Sequence, residues 1–179
     1  MFRRLFFSFV IILALTSQVV SRDSITVYIF LLDECRISQE MTPELNSLYN
    51  EFRINFGFIG IFPNFSSKKK AIEDFKSKYK IQFPTKTDYF KKLSNTFNAT
   101  VLPEVIVLNE TRNKIIYRGA INDLYYTQGK RRQIIRNQYL RDALFGLVNG
   151  VELKVKETQP IGCFINFNDP LNTFFDESK

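Results

Sequence analysis

The chain has 179 residues, which fits one ordinary domain with a sizeable core and leaves little room for a second. Its 45% hydrophobic content, with 19 Phe and 8 Tyr, argues for a packed globule and against disorder. Histidine is absent, which removes the commonest general base and the commonest metal ligand, and with them Ser/His/Asp triads, Cys/His proteases and zinc hydrolases.

Residues 1–21, MFRRLFFSFVIILALTSQVVS, carry two arginines, an apolar run from Leu5 to Leu15 and a more polar end at Ser21. This is the layout of a secretory signal peptide, and the run is short for a bilayer span. The expectation is an exported chain, periplasmic or secreted, cleaved near Ser21 or Arg22. A retained N-terminal anchor is the alternative and the only route by which the chain would meet a membrane. Loss of Arg3 and Arg4 lowers the formal charge from +7 to +5. The clusters Lys68-Lys69-Lys70 and Lys130-Arg131-Arg132 read as solvated helix starts, so no nucleic-acid partner is expected. Outside the cytoplasm thiols can be oxidised and disulfides persist, which bears on the two cysteines, Cys35 and Cys163.

Residues 25–32, ITVYIFLL, form a continuous β-branched and aromatic run, the pattern of a strand buried on both faces. Cys35 follows directly. Met41, Leu45, Leu48, Tyr49 and Phe52 then recur at helical spacing over 36–52, so Cys35 stands at a strand-to-helix turn, with Pro43 inside the helix. Residues 56–62, FGFIGIF, predict a second buried strand. Ser66 or Ser67 is a candidate N-cap for a helix with Ala71, Ile72, Phe75 and Tyr79 on its core face, and 82–84 reads as a short extended piece.

A helix over 88–97 precedes Val101-Leu102-Pro103-Glu104 and a strand at 105–108, and the polar turn 109–113 joins that strand to 114–118 as a hairpin. Ile134, Ile135, Leu140, Ala143, Leu144, Leu147 and Val148 predict one long helix over 128–149, stopped by Gly150. Alternating elements followed by a hairpin and a closing helix indicate an α/β domain with a mixed central sheet flanked by helices. The expected organisation is a signal peptide at 1–21, a domain at 22–150 and a C-terminal tail at 151–179 carrying Cys163.

This order resembles the thioredoxin-like fold, and in particular the secreted redoxins related to alkyl hydroperoxide reductase and thiol-specific antioxidant proteins. Four stretches carry the resemblance. Cys35-Arg36-Ile37-Ser38 stands where the family places Cys-x-x-Cys or Cys-Pro-x-Ser. Pro43 follows Cys35 at the distance of the helix-kinking proline. Leu102-Pro103-Glu104-Val105 looks like the loop with a cis-proline beside the reactive sulfur. Tyr117 to Asp123, Tyr139 to Leu144 and Thr158-Gln159-Pro160-Ile161-Gly162-Cys163 resemble the C-terminal half. The segment at 66–84 looks like the redoxin-type α/β insertion. The departures are Arg36 in place of proline, Ser38 in place of the resolving cysteine, Asp33-Glu34 where an aromatic commonly stands, and Leu32 where peroxidases of this kind carry threonine.

The resemblance implies a thiol-dependent oxidoreductase acting in thiol-disulfide exchange or peroxide reduction. Its partners would be a thiol or disulfide protein or a peroxide, and an external thiol reductant. No metal or organic cofactor is implied. Cys35 would be the nucleophile, Cys163 the resolving thiol, and Arg36, Ser38, Leu102 and Pro103 would position the substrate. Two other readings stay open: a Cys35–Cys163 bond that staples the tail of a redox-inactive binding or structural module, or two unpaired, inert thiols. The triplets beginning at Asn64, Asn98 and Asn109 would be glycan acceptors in a eukaryotic secretory pathway.

Overall fold

A computed structural model describes residues 23–168, so the signal-peptide expectation and the last eleven residues lie outside the described residues. The elements run β1 (Ile25–Phe30), α1 (Arg36–Phe52), β2 (Gly57–Phe62), α2 (Lys69–Tyr79), β3 (Thr85–Thr87), α3 (Lys92–Phe97), β4 (Val101–Leu102), β5 (Glu104–Asn109), β6 (Lys114–Gly119), β7 (Tyr125–Thr127), β8 (Lys130–Arg131), α4 (Tyr139–Asn149) and β9 (Cys163–Phe164).

The main sheet has the order β3-β2-β1-β5-β6. β1 pairs in parallel with β2 and antiparallel with β5, and β5 pairs antiparallel with β6, so the sheet is mixed. Every residue of β5 is buried, so both faces of the sheet are covered. β1 supplies Val27, Ile29 and Phe30, all without solvent exposure. At about 1.5–3 kcal/mol for each large apolar side chain removed from water, this central pair anchors the domain.

α1 forms because Ile37, Met41, Leu45, Leu48 and Phe52 recur on one face and bury there, while Pro43 sits on the exposed side. α2 and β3 extend the parallel edge of the sheet beside β2, where the insertion was expected.

Several expected boundaries move. β3 lies at Thr85–Thr87 rather than 82–84, because Phe83 turns into the core and the strand pairs only after Pro84. Ser67 does not cap α2: its hydroxyl goes to the Asp33 carboxylate, and Lys68 stands at the N-cap. The helix expected over 88–97 begins at Lys92, with Asp88 accepting the N–H groups of Leu93 and Ser94 at 3.1 and 2.8 Å.

The largest correction falls on 128–149. Only Tyr139–Asn149 is helical, and its upstream neighbour is the β7–β8 hairpin turning at Gly129, whose φ of +72° suits glycine. Ile134 is 75% exposed, so the apolar spacing that suggested helix buries nothing there. Lys130-Arg131-Arg132 accordingly opens no helix; Lys130 and Arg131 form β8.

Candidate functional site

Three segments converge at the carboxyl end of β1. The first is the turn into α1. Cys35 occupies the N-cap in an extended conformation (φ −77°, ψ 115°), its N–H bonds to the Leu32 carbonyl at 3.1 Å, and its own carbonyl accepts from Gln39 N–H at 2.9 Å. Cys35 is 1% exposed. The second is the bend between β4 and β5, where the Leu102–Pro103 peptide is cis, as the resemblance implied, and the Leu102 carbonyl oxygen lies 3.3 Å from Cys35 Sγ.

The third is the tail. After α4 it returns along β6, with Arg118 N–H donating to Lys156 O and Thr158 N–H to Arg118 O at 3.1 and 3.0 Å. The Thr158 hydroxyl accepts from Ala120 N–H at 2.9 Å and lies 2.7 Å from the Tyr117 hydroxyl. Burial drives the Tyr117 phenol well above its usual range, so it stays protonated as a donor. Gly119, at φ +127°, is required here, because a Cβ would overlap the Thr158 carbonyl.

The tail then lays β9 antiparallel on β4, pairing Cys163 with Leu102 and Phe164 with Val101. There Cys35 and Cys163 form a disulfide with their Cα atoms 6.2 Å apart. The reading of two unpaired, inert thiols is thereby set aside.

Four further contacts fix this strap around the bond. Gln128 Nε2 donates to Gly162 O at 2.8 Å, Ile165 N–H donates to Thr100 O at 3.0 Å, Asn64 Nδ2 donates to Phe164 O at 3.3 Å, and Asn166 N–H donates to Asn64 Oδ1 at 2.8 Å. Gly162 meets the Leu102 backbone so closely that a Cβ would overlap its carbonyl. Sequence reasoning missed this role for Asn64, Thr100 and Gln128; Asn64 and Thr100 stood out only as parts of glycan-acceptor triplets, and the signal that joins the three is spatial.

The expected positioning residues separate. Leu102 and Pro103 adjoin the sulfurs. Ser38 is buried and accepts the Leu32 N–H at 3.3 Å, bracing the turn from beneath. Arg36 points outward and pairs with Glu40 at 2.7 Å, so its charge is spent there. Glu40 also accepts from the Tyr125 hydroxyl at 2.6 Å and from Arg131 at 3.2 Å. The Tyr125 hydrogen bond first, and then Arg36, hold its carboxyl below the usual range. These groups border an open cleft of about 360 Å³ lined by Arg36, Ile37, Glu40, Tyr125, Gly129 and Arg131.

Behind Pro103, the buried Glu104 carboxylate pairs with Arg118 at 3.0 Å, and Arg118 reaches Glu157 on the tail at 3.7 Å. The link from the proline bend to the strap thus runs from a buried pair at Glu104 to an exposed contact at Glu157. Of the three possible glycan acceptors, Asn64 and Asn109 are buried and Asn98 is exposed.

Among the described residues no helix is long and apolar enough to cross a membrane, and no cluster of three or more His, Cys, Asp or Glu could hold a metal ion. No curated protein matches the chain. Solved structures do. An uncharacterized conserved protein from Geobacillus kaustophilus superposes with a TM-score of 0.70 at 21% identity, covering 82% of this chain and 79% of that one. A hypothetical protein from Sinorhizobium meliloti 1021 gives 0.70 at 16% identity, covering 82% and 81%. A thiol-disulfide oxidoreductase from Bacteroides fragilis gives 0.50 at 21% identity, covering 72% and 82%. The family profile described as Thioredoxin-like matches residues 23–115, just over half of the chain, and the protein belongs to that thioredoxin-like family.

Proposed function

We propose that the protein is an exported thiol-disulfide oxidoreductase whose working pair is Cys35 and Cys163. The observation that carries this reading is a disulfide joining the N-cap of α1 to a strap laid against the proline bend, with the Cys35 end sealed and the Cys163 end partly exposed.

Cys35 at 1% exposure admits no attacking thiol, whereas Cys163 is partly exposed. An external thiolate therefore attacks Cys163 Sγ in line with the bond. The Cys35–Cys163 bond breaks and its electron pair leaves on Cys35. A second thiol of the reductant then attacks the mixed disulfide, frees Cys163 and closes the reductant's own disulfide. Cys35 is the better leaving group, because the unpaired N–H groups and partial positive charge at the start of α1 favour its thiolate by about 0.3–2 kcal/mol. Arg36 adds little, being paired with Glu40.

The reduced Cys35 thiolate next attacks a disulfide of a partner protein, and Cys163 resolves the mixed disulfide. Leu102 and Pro103 present backbone to the partner, and Ser38 holds the turn that carries Cys35. Peroxide reduction is the weaker use of this site, since Leu32 supplies no hydroxyl to a peroxide oxygen. The domain layout follows the same reading: a leader at 1–21, a catalytic domain at 22–150, and a tail at 151–179 whose task is to bring Cys163 back.

The second reading, a redox-inactive module with a structural staple, draws on the eleven-residue span of tail, 156–166, held by hydrogen bonds on both sides of Cys163. Equilibrating the full chain with thiol buffers of graded potential separates the two. A working pair equilibrates at a potential above about −300 mV, and Cys35 then alkylates faster at pH 7 than a model thiol. A bond that stays closed below that potential, with Cys35 no faster than a model thiol, overturns the proposal.

A further inference from the structure

The strap is seated as an extended peptide whose cysteine is joined to Cys35, which is the geometry a substrate's cysteine must reach in a mixed disulfide. Its contacts define what such a peptide needs. The residue before the cysteine, Gly162, has its carbonyl bound by Gln128 Nε2 at 2.8 Å and has no room for a Cβ against the Leu102 carbonyl. The residue after it, Phe164, has its carbonyl bound by Asn64 at 3.3 Å, while its ring is 69% exposed and reads nothing. The second residue after it, Ile165, donates its N–H to Thr100 O at 3.0 Å and is 5% exposed, so its side chain fills an apolar site. The third, Asn166, donates its N–H to Asn64 Oδ1 at 2.8 Å.

We infer that the edge of β4, with Gln128, Asn64 and Thr100, is a peptide-binding strip selective for partner disulfides in which the cysteine is preceded by glycine and followed, two residues on, by a large aliphatic side chain. The inference rests on the exchange reading above and names its substrate class. The strap is the intramolecular occupant, and the partner takes its place by adding a strand to β4. Backbone contacts supply general affinity, and the glycine gap and the Ile165 site supply the selection. In the step itself the Cys35 thiolate attacks the partner cysteine's sulfur, the partner's S–S bond breaks, and the electron pair leaves on the partner's second sulfur, which takes a proton from solvent. Cys163 then loses its thiol proton to solvent and attacks Cys35 Sγ, and the partner cysteine departs as thiolate. The chain's dithiol is oxidised by two electrons and the partner's disulfide is reduced.

The test uses the reduced full chain and four synthetic peptides spanning 159–166, each with its cysteine held as a mixed disulfide with a chromogenic aromatic thiol: the parent, Gly162→Ala, Phe164→Ala and Ile165→Asp. Release of the aromatic thiol is timed with the wild type and with Cys163→Ser, in which the mixed disulfide accumulates. The parent and Phe164→Ala peptides should react within about twofold of each other, and Gly162→Ala and Ile165→Asp at least about tenfold more slowly, the order expected for an overlap or a buried charge that must be relieved. Equal rates for all four, each faster than with a model thiol, overturn this inference and leave the exchange reading standing. No rate above that of a model thiol overturns both. The wild type gives the same comparison if Cys163→Ser fails to fold.

Discussion

The two ends of the disulfide are held by different physics. Around Cys35 the chain is fixed by apolar burial: Leu31 and Leu32 before it and Ile37 after it are buried with it in the core. Around Cys163 it is fixed mainly by directional hydrogen bonds with Gln128, Thr100 and Asn64, with a single buried apolar anchor at Ile165 and two glycines, Gly119 and Gly162, that permit close backbone approach. Burial on the scale of a domain core comes undone only with global unfolding, whereas a line of hydrogen bonds to a two-residue strand can open locally. The contrast teaches which half of the bond is built to move: reduction should leave Cys35 in place and loosen the strap.

The comparison is broken first at the bond and the core. Cys163→Ser removes a link across 128 residues and should cost up to about 5 kcal/mol in the chain-entropy picture, read as a lower denaturant midpoint under oxidising conditions. Under reducing conditions the wild type should lose most of that advantage. Leu45→Ala, at a position with no solvent exposure, should cost about 2–5 kcal/mol in either redox state, because it leaves a cavity in the core beneath α1.

Smaller effects sharpen the contrast. Thr158→Val leaves Ala120 N–H without its acceptor and should cost about 1–3 kcal/mol, with amide exchange rising in the strap, at Thr158 and Ile165, and not in β1 or β5. A strap that stays protected in that variant would show the tail to be held by something other than these bonds.

The smallest effect is one of pH. The Glu40 carboxyl is held low by Tyr125 and then by Arg36. Its depressed folded value means that its contribution is present above the ordinary unfolded carboxylate value and is lost as pH falls through the folded one. Solvent screening limits it to about 0.2–1 kcal/mol. Glu40→Gln should therefore lower stability at neutral pH and flatten the acid side of the stability curve. A parallel downward shift at all pH values would contradict the ion-pair account.

What the sequence disclosed follows the same division. The β1–α1 turn was legible because ITVYIFLL and the Met41, Leu45, Leu48 and Phe52 spacing are periodic signals of burial, and Pro103 was legible from its surroundings. The strap was not. β9 is two residues long and has no period, and its partners lie near residues 64, 100 and 128, brought together only by the fold. The hairpin at β7–β8 was hidden for the opposite reason: Ile134 and Ile135 mimic a helical stripe continuous with Leu140, although Gly129 within Thr127-Gln128-Gly129-Lys130 marked the turn. Asn64 was noticed only as a possible glycan acceptor, and its burial between the strap and the domain gives it a structural role instead.

The central claim is that the sealed sulfur leaves and the strap sulfur is attacked. It is tested most directly by exposing the oxidised full chain briefly to a small monothiol such as glutathione, quenching with acid, alkylating the freed thiol and mapping both modifications by mass spectrometry. The account predicts the monothiol on Cys163 and the alkyl group on Cys35. The reverse assignment, or an even mixture, would contradict it.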